Sequence, residues 1–85
     1  VFAIRLTKRA KRDFDDLPLG AQDKILSALQ KLSRNPFLGK KLLGDLAGHY
    51  AFRAWPYRIL YVADQRRTTV YVTTIGHRQG VYKKR

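Results

Sequence analysis

Tyr57-Arg58-Ile59-Leu60-Tyr61-Val62-Ala63, followed after Asp64–Arg67 by Thr68-Thr69-Val70-Tyr71-Val72-Thr73-Thr74-Ile75, decides the fold class. Both runs are dense in β-branched and aromatic residues, which suit a pleated, half-buried surface. The four-residue break between them has hairpin length, so the two read as antiparallel neighbours. Working back, Ala54-Trp55-Pro56 is a second tight turn, and His49 to Arg53 is a third strand on its far side. The C-terminal half is therefore a three-stranded antiparallel meander.

The N-terminal half carries a different period. Phe2, Ile4 and Leu6 alternate with Ala3, Arg5 and Thr7, which marks a short strand. Thr7 can cap a helix starting at Lys8, because its hydroxyl accepts from an otherwise unpaired backbone N–H. Ala10, Phe14 and Leu17 form the apolar stripe of that helix, and Pro18 ends it. A second helix runs from Leu19 or Ala21 to Ser33, with Ile25, Leu29 and Leu32 facing inward. Asn35-Pro36 stops it, since proline disfavours helix in the residue before it. Residues 37 to 48 hold three glycines and the Lys40-Lys41 pair and read as a loop anchored by Leu38, Leu42, Leu43 and Leu46. The expected order is β-α-α-β-β-β, an α+β arrangement with the helical hairpin packed on one sheet face. At 85 residues, one domain spanning 1–85 accounts for the chain.

Charge narrows the function. Lys and Arg number 18 against six carboxylates, all Asp, for a net charge of +12. Such an excess implies a polyanionic partner: nucleic acid, a membrane surface or an acidic protein. Solubility through self-repulsion is the plainer alternative. No cysteine is present, so disulfides and thiolate metal sites are excluded, and two histidines with six Asp are a poor basis for a zinc centre. The expectation is no metal and no cofactor. No apolar run approaches the roughly 20 residues of a membrane span, and no signal peptide opens the sequence, so a cytoplasmic protein with no membrane contact is expected.

Alternation sorts the side chains. Arg58 shares a face with Leu60 and Val62, an uncommon setting for a solvated charge, and Arg53 shares one with Ala51 and His49. In a meander the second strand starts at the edge where the third ends, so Arg53, Arg58, His77 and Arg78 are expected to converge there. Clustered guanidiniums repel one another, and a phosphate would relieve this through bidentate, charge-assisted hydrogen bonds. The plainer reading of each arginine is pairing with an Asp or lying along an aromatic ring, and six Asp cannot pair 18 cations. Tyr82 sits in the tail Val81-Tyr82-Lys83-Lys84-Arg85, where an aromatic among cations can stack a base or simply pin the tail. Lys40, Lys41, Lys83 and Lys84 are candidate phosphate contacts, with solvated loop lysines as the bland alternative.

Leu43-Gly44, Tyr50-Ala51-Phe52-Arg53, Tyr57-Arg58-Ile59-Leu60-Tyr61, Ile75-Gly76-His77-Arg78 and Val81-Tyr82 together resemble the RelE/ParE toxin superfamily of type II toxin–antitoxin systems. The His-Arg pair and late Tyr make the RelE branch the nearer one. The resemblance implies a metal-independent endoribonuclease that cleaves messenger RNA in the ribosomal A site through attack of a 2′-OH. It also implies an acidic, RelB-like antitoxin as partner. Arg58 then resembles the arginine that stabilises the transition-state phosphate, Arg78 the one at the leaving oxygen, Tyr82 the tyrosine that orients the substrate, and Arg53 a supporting contact. Where the RelE pattern has two lysines, this sequence has His49 and Ala51. Histidine as a residue type suits acid–base work near neutrality, so His49 is one candidate base; His77 is the other candidate for an acid or base role. The alternatives are a ParE-like DNA gyrase inhibitor and a catalytically weak basic binding module.

Overall fold

The computed structural model describes residues 1–77. Strand β1 (Ala3–Leu6) leads into helix α1 (Lys8–Asp15) and helix α2 (Leu19–Arg34). Then come a two-residue strand β2 (Lys40–Lys41), a 3₁₀ turn (Gly44–Leu46), and strands β3 (Tyr50–Ala54), β4 (Tyr57–Asp64) and β5 (Thr69–His77). The α+β order expected from the sequence is the order observed. Several boundaries shift by a residue or two, with β5 running on to His77 instead of ending at Ile75. Lys40-Lys41, read as loop, forms an edge strand against Ala51 and Tyr50, because Leu42 N–H donates onward to the His49 carbonyl and extends the ladder. For the same reason β3 begins at Tyr50, with His49 in the connection before it.

The sheet runs β1-β5-β4-β3-β2, parallel only where β1 meets β5 and antiparallel elsewhere. Thr7 caps α1 as read, its Oγ1 accepting from Ala10 N–H at 3.2 Å. The same hydroxyl donates to the Thr73 carbonyl at 3.3 Å and so ties the helix start to β5. Ala10, Ile25, Ala28, Leu29 and Leu32 bury the helical stripes against Ile59, Tyr61, Val70, Val72 and Ile75 on one sheet face. A second, smaller apolar group of Ala51, Leu60 and Leu42 lies apart from that core. It belongs to the other sheet face by alternation. Among the described residues no helix is long and apolar enough to cross a membrane.

The ladder between β4 and β5 contains one irregularity that matters for the site. Leu60 pairs with Thr74 and Tyr61 with Val72, so Thr73 is left over as a β-bulge. An extra residue reverses the facing of everything beyond it. Val70 and Val72 face the helices before the bulge, and Ile75, not Thr74, faces them after it. Thr73 Oγ1 holds the bulge by donating to the Leu60 carbonyl at 3.2 Å, and the freed Ile75 N–H is taken up by Asp13 Oδ2 from α1 at 3.1 Å.

Candidate nucleic-acid interface

Arg53 stands directly opposite Arg58 in the β3–β4 ladder, and Arg58 stands opposite Gly76 in the β4–β5 ladder. The three therefore form one row across the face away from the helices. The adjoining row is Lys40, Ala51, Leu60 and Thr74. Together these rows make a cleft of about 320 Å³ lined by Leu38, Gly39, Lys40, Ala51, Phe52, Arg53 and Arg58. Its residues supply three cations and no carboxylate. Arg53 is exposed and Arg58 half-buried. A partly desolvated guanidinium keeps its full charge, because arginine does not deprotonate in proteins, so the cleft is a fixed positive site for an anion.

The shape of the cleft rests on Tyr61. Its ring is fully buried and stacks on Tyr50 with centroids 5.5 Å apart. Its hydroxyl donates to the Pro36 carbonyl at 2.8 Å and accepts from Gly39 N–H at 3.0 Å. Two long-range hydrogen bonds thus fasten the segment before Lys40 to the centre of the sheet. A Cβ built on Gly39 would lie 2.6 Å from the Tyr61 hydroxyl and 2.9 Å from the Ala51 carbonyl oxygen, so only glycine fits there. Burial raises the Tyr61 pKa above its ordinary 10.0; the Gly39 hydrogen bond works against this and the neighbouring Tyr50 adds to it.

The remaining sequence candidates divide. Lys41 pairs with Tyr50 and so takes the opposite facing from Lys40. His77 pairs with Tyr57, whose side chain packs against the helix-side core, and the two rings meet edge-to-face at 6.1 Å. The register brings His77 to the sheet end that carries Arg53 and Arg58, but the bulge at Thr73 turns His77 to the helix side and Gly76 to the arginine side. His49 lies two residues before Ala51, in the connection preceding β3, and is not among the cleft residues. Its Nδ1 is buried with no hydrogen-bond partner among the described residues. Arg78, Tyr82, Lys83 and Lys84 lie outside the described residues.

Residues 4–82 match the family model described as "ParE toxin of type II toxin-antitoxin system, parDE". The chain belongs to the RelE/ParE toxin superfamily. Toxin RelG of Mycobacterium tuberculosis is 36% identical over 98% of both chains. The crystal structure of the RelBE2 toxin–antitoxin complex from the same organism contains a chain that superposes with a TM-score of 0.84 at 37% identity, covering 91% of this chain and 98% of that one. The intact E. coli RelBE toxin–antitoxin complex shares the fold, with a TM-score of 0.78 at 17% identity over all of both chains.

Within this RelE/ParE fold, three small residues at or beside the cleft were not read from the sequence as shaping it. Gly39 permits the close approach of the Pro36–Lys40 segment. Ala51 is a small, buried floor. Gly76 puts no side chain beside Arg58. The Gly-His-Arg order was a visible signal for the last of these, but its facing depends on a bulge that alternation alone does not disclose.

Proposed function

We propose that this toxin is a ribosome-dependent, metal-independent endoribonuclease that cuts messenger RNA in the A site and so halts translation. The observation that carries the reading is the half-buried Arg58 guanidinium, directly opposite Arg53 in the ladder and sharing with it and Lys40 a cleft whose lining holds no carboxylate. Attack of a 2′-OH on the adjacent phosphorus forms a new P–O bond and breaks the bond to the 5′-oxygen, leaving a cyclic phosphate and a 5′-OH. The phosphorus centre gains negative charge in the transition state, so fixed cations stabilise it more than the ground state. In this assignment Arg58 binds the reacting phosphate, with Arg53 and Lys40 on flanking oxygens. Arg78 stands at the leaving oxygen, Tyr82 orients the substrate, and Lys83 and Lys84 grip the backbone. His49 is the base in place of the family's lysine. The RelE-type names of the relatives above 30% identity support the RNA reading.

The partner is an acidic antitoxin, as in the RelBE complexes whose toxin chains share this fold. Exposed Leu19, Leu26, Leu38 and Leu43 supply apolar surface for such a chain to cover.

Inducing the toxin in cells and mapping transcript 5′ ends tests this. New ends within translated codons, lost in Arg58→Ala, are expected. Intact transcripts with growth still arrested would reject it. The ParE description of the matching family favours a second reading, inhibition of DNA gyrase. Blocked supercoiling by the purified protein, with message intact, would decide for that alternative. Ala51 at a family lysine position leaves a weak basic binding module as the third, marked by neither effect.

A further inference from the structure

The cleft around Arg58 is not the end of the basic surface. A second cleft of about 300 Å³ opens between α2 and the β3–β4 turn, lined by Lys24, Ser27, Ala28, Lys31, Phe52, Arg53, Ala54 and Trp55. It shares Phe52 and Arg53 with the first, so the two adjoin at the edge of β3. That edge is open there because β2 pairs with β3 only as far as Ala51. Lys24, Ser27 and Lys31 fall at three-, four- and seven-residue spacings, one face of a helix. Their Cα atoms span about 10 Å along α2. Asp23, the one carboxylate of α2, is not among the lining residues. Lys24 Nζ donates to the Trp55 carbonyl at 3.0 Å, which holds the ammonium group at the turn. Asp13, Asp15 and Asp64 pair elsewhere, with Arg9, Lys11 and Arg67. Trp55 is 55% exposed, a large aromatic surface presented beside three cations.

We propose that this second cleft is a nucleotide subsite for single-stranded RNA. It holds a nucleotide flanking the one cut at Arg58, with Trp55 stacking the base and Lys24 and Lys31 binding backbone phosphates. Arg53, common to both clefts, bridges the two subsites. This rests on the RNA reading above and adds a site that reading does not use. Cations that follow a groove, with an aromatic face for a base, make the usual platform for single strands. An acidic protein segment would satisfy the lysines, but the cleft runs on through Phe52 and Arg53 into the one assigned to the cut strand, which favours the same strand as occupant.

Trp55 is the single tryptophan of the chain, so its emission reports this cleft alone. The test titrates the full-length toxin with a fluorescein-labelled single-stranded 2′-O-methyl oligonucleotide, which cannot be cut, reading both label anisotropy and tryptophan emission. Quenching in step with binding is expected. Trp55→Leu weakens binding roughly five- to a hundredfold. Lys24→Ala and Lys31→Ala each lower the salt slope of binding by about 1, and alanine is a better helix former than lysine, so α2 is kept. Binding without any change in emission overturns the proposal. So does wild-type affinity in both lysine variants, or emission that responds to polyglutamate and not to the oligonucleotide. Transcript mapping is run in parallel: quenching without cleavage keeps the subsite and rejects the nuclease, whereas cleavage without quenching does the reverse.

Discussion

Arg53 and Arg58 face each other as direct partners across the β3–β4 ladder. Like charges in that position destabilise a sheet by roughly 0.2–1 kcal/mol. Neither faces a carboxylate within the cleft they line. The fold thus places two arginines side by side in one electropositive cleft.

Replacing one member should therefore separate stability from activity. Arg53→Thr keeps strand propensity and removes the repulsion. It is expected to raise the melting temperature by a few degrees, since about 1 kcal/mol corresponds to roughly 4–8 °C in a domain of this size. Cleavage should fall about tenfold at the same time. Thermal melts and single-turnover cleavage on the same preparations check both; a lower melting temperature would refute the repulsion argument.

Arg58→Ala should cost far more activity. Loss of a preorganised charge at a transition-state oxygen costs roughly 10²–10³ in rate. The measurement is toxicity on induction together with the circular dichroism of the purified variant. Full toxicity in a folded Arg58→Ala protein would remove Arg58 from the chemistry.

Gly39→Ala should be destabilising although glycine usually costs stability. Its Cβ would meet the Tyr61 hydroxyl at 2.6 Å and the Ala51 carbonyl at 2.9 Å, and neither belongs to a freely moving group. Overpacking of this kind costs about 1–3 kcal/mol. Urea denaturation reads it directly, and the displaced Lys40 should weaken RNA binding in the same variant.

Tyr61 gives the protein a limit on the alkaline side. Its folded-state pKa is raised above 10.0, chiefly by burial, so the fold prefers the neutral phenol. A proton bound more tightly in the folded than in the unfolded state favours folding. The contribution is complete below the unfolded value and is lost as pH climbs from about 10 through the raised folded value. Melting temperatures between pH 8 and 11 should fall more steeply for the wild type than for Tyr61→Phe. At neutral pH the variant should itself be less stable by about 1–3 kcal/mol, because Gly39 N–H and the Pro36 carbonyl lose their partner. Parallel curves would mean that Tyr61 does not set the limit.

The two histidines should behave differently. His77 is on the helix side of the sheet, whereas His49 lies in the connection just before the strand that carries Arg53. His49→Gln is expected to slow cleavage about 10²-fold, as loss of a general base does. His77→Gln should leave the rate within a factor of a few. The reverse ranking would transfer the base role.

Most of the element order was open to reading because each part of it is a local property. The Thr7 cap, the apolar stripes of α1 and α2 and the alternation in β4 are set by residues within a turn or two of one another. Grouping Arg58 with Leu60 and Val62 needed only the two-residue period of a strand, but that period does not say which face the helices cover. Lys40 was readable as a candidate contact but not as a strand residue, since a two-residue edge strand has no pattern of its own and exists only because β3 is beside it.

A strand, a helical hairpin, an antiparallel sheet and a large excess of positive charge can all be read along the chain, since periodicity and composition are carried by neighbouring residues. Which charges meet depends on how distant segments pack. The extra residue at Thr73 turns Gly76 toward Arg58 and His77 away, and the Tyr61 hydroxyl draws Gly39 and Lys40 to the cleft from more than twenty residues distant. Register between strands and hydrogen bonds across such separations depend on pairs that no local window contains.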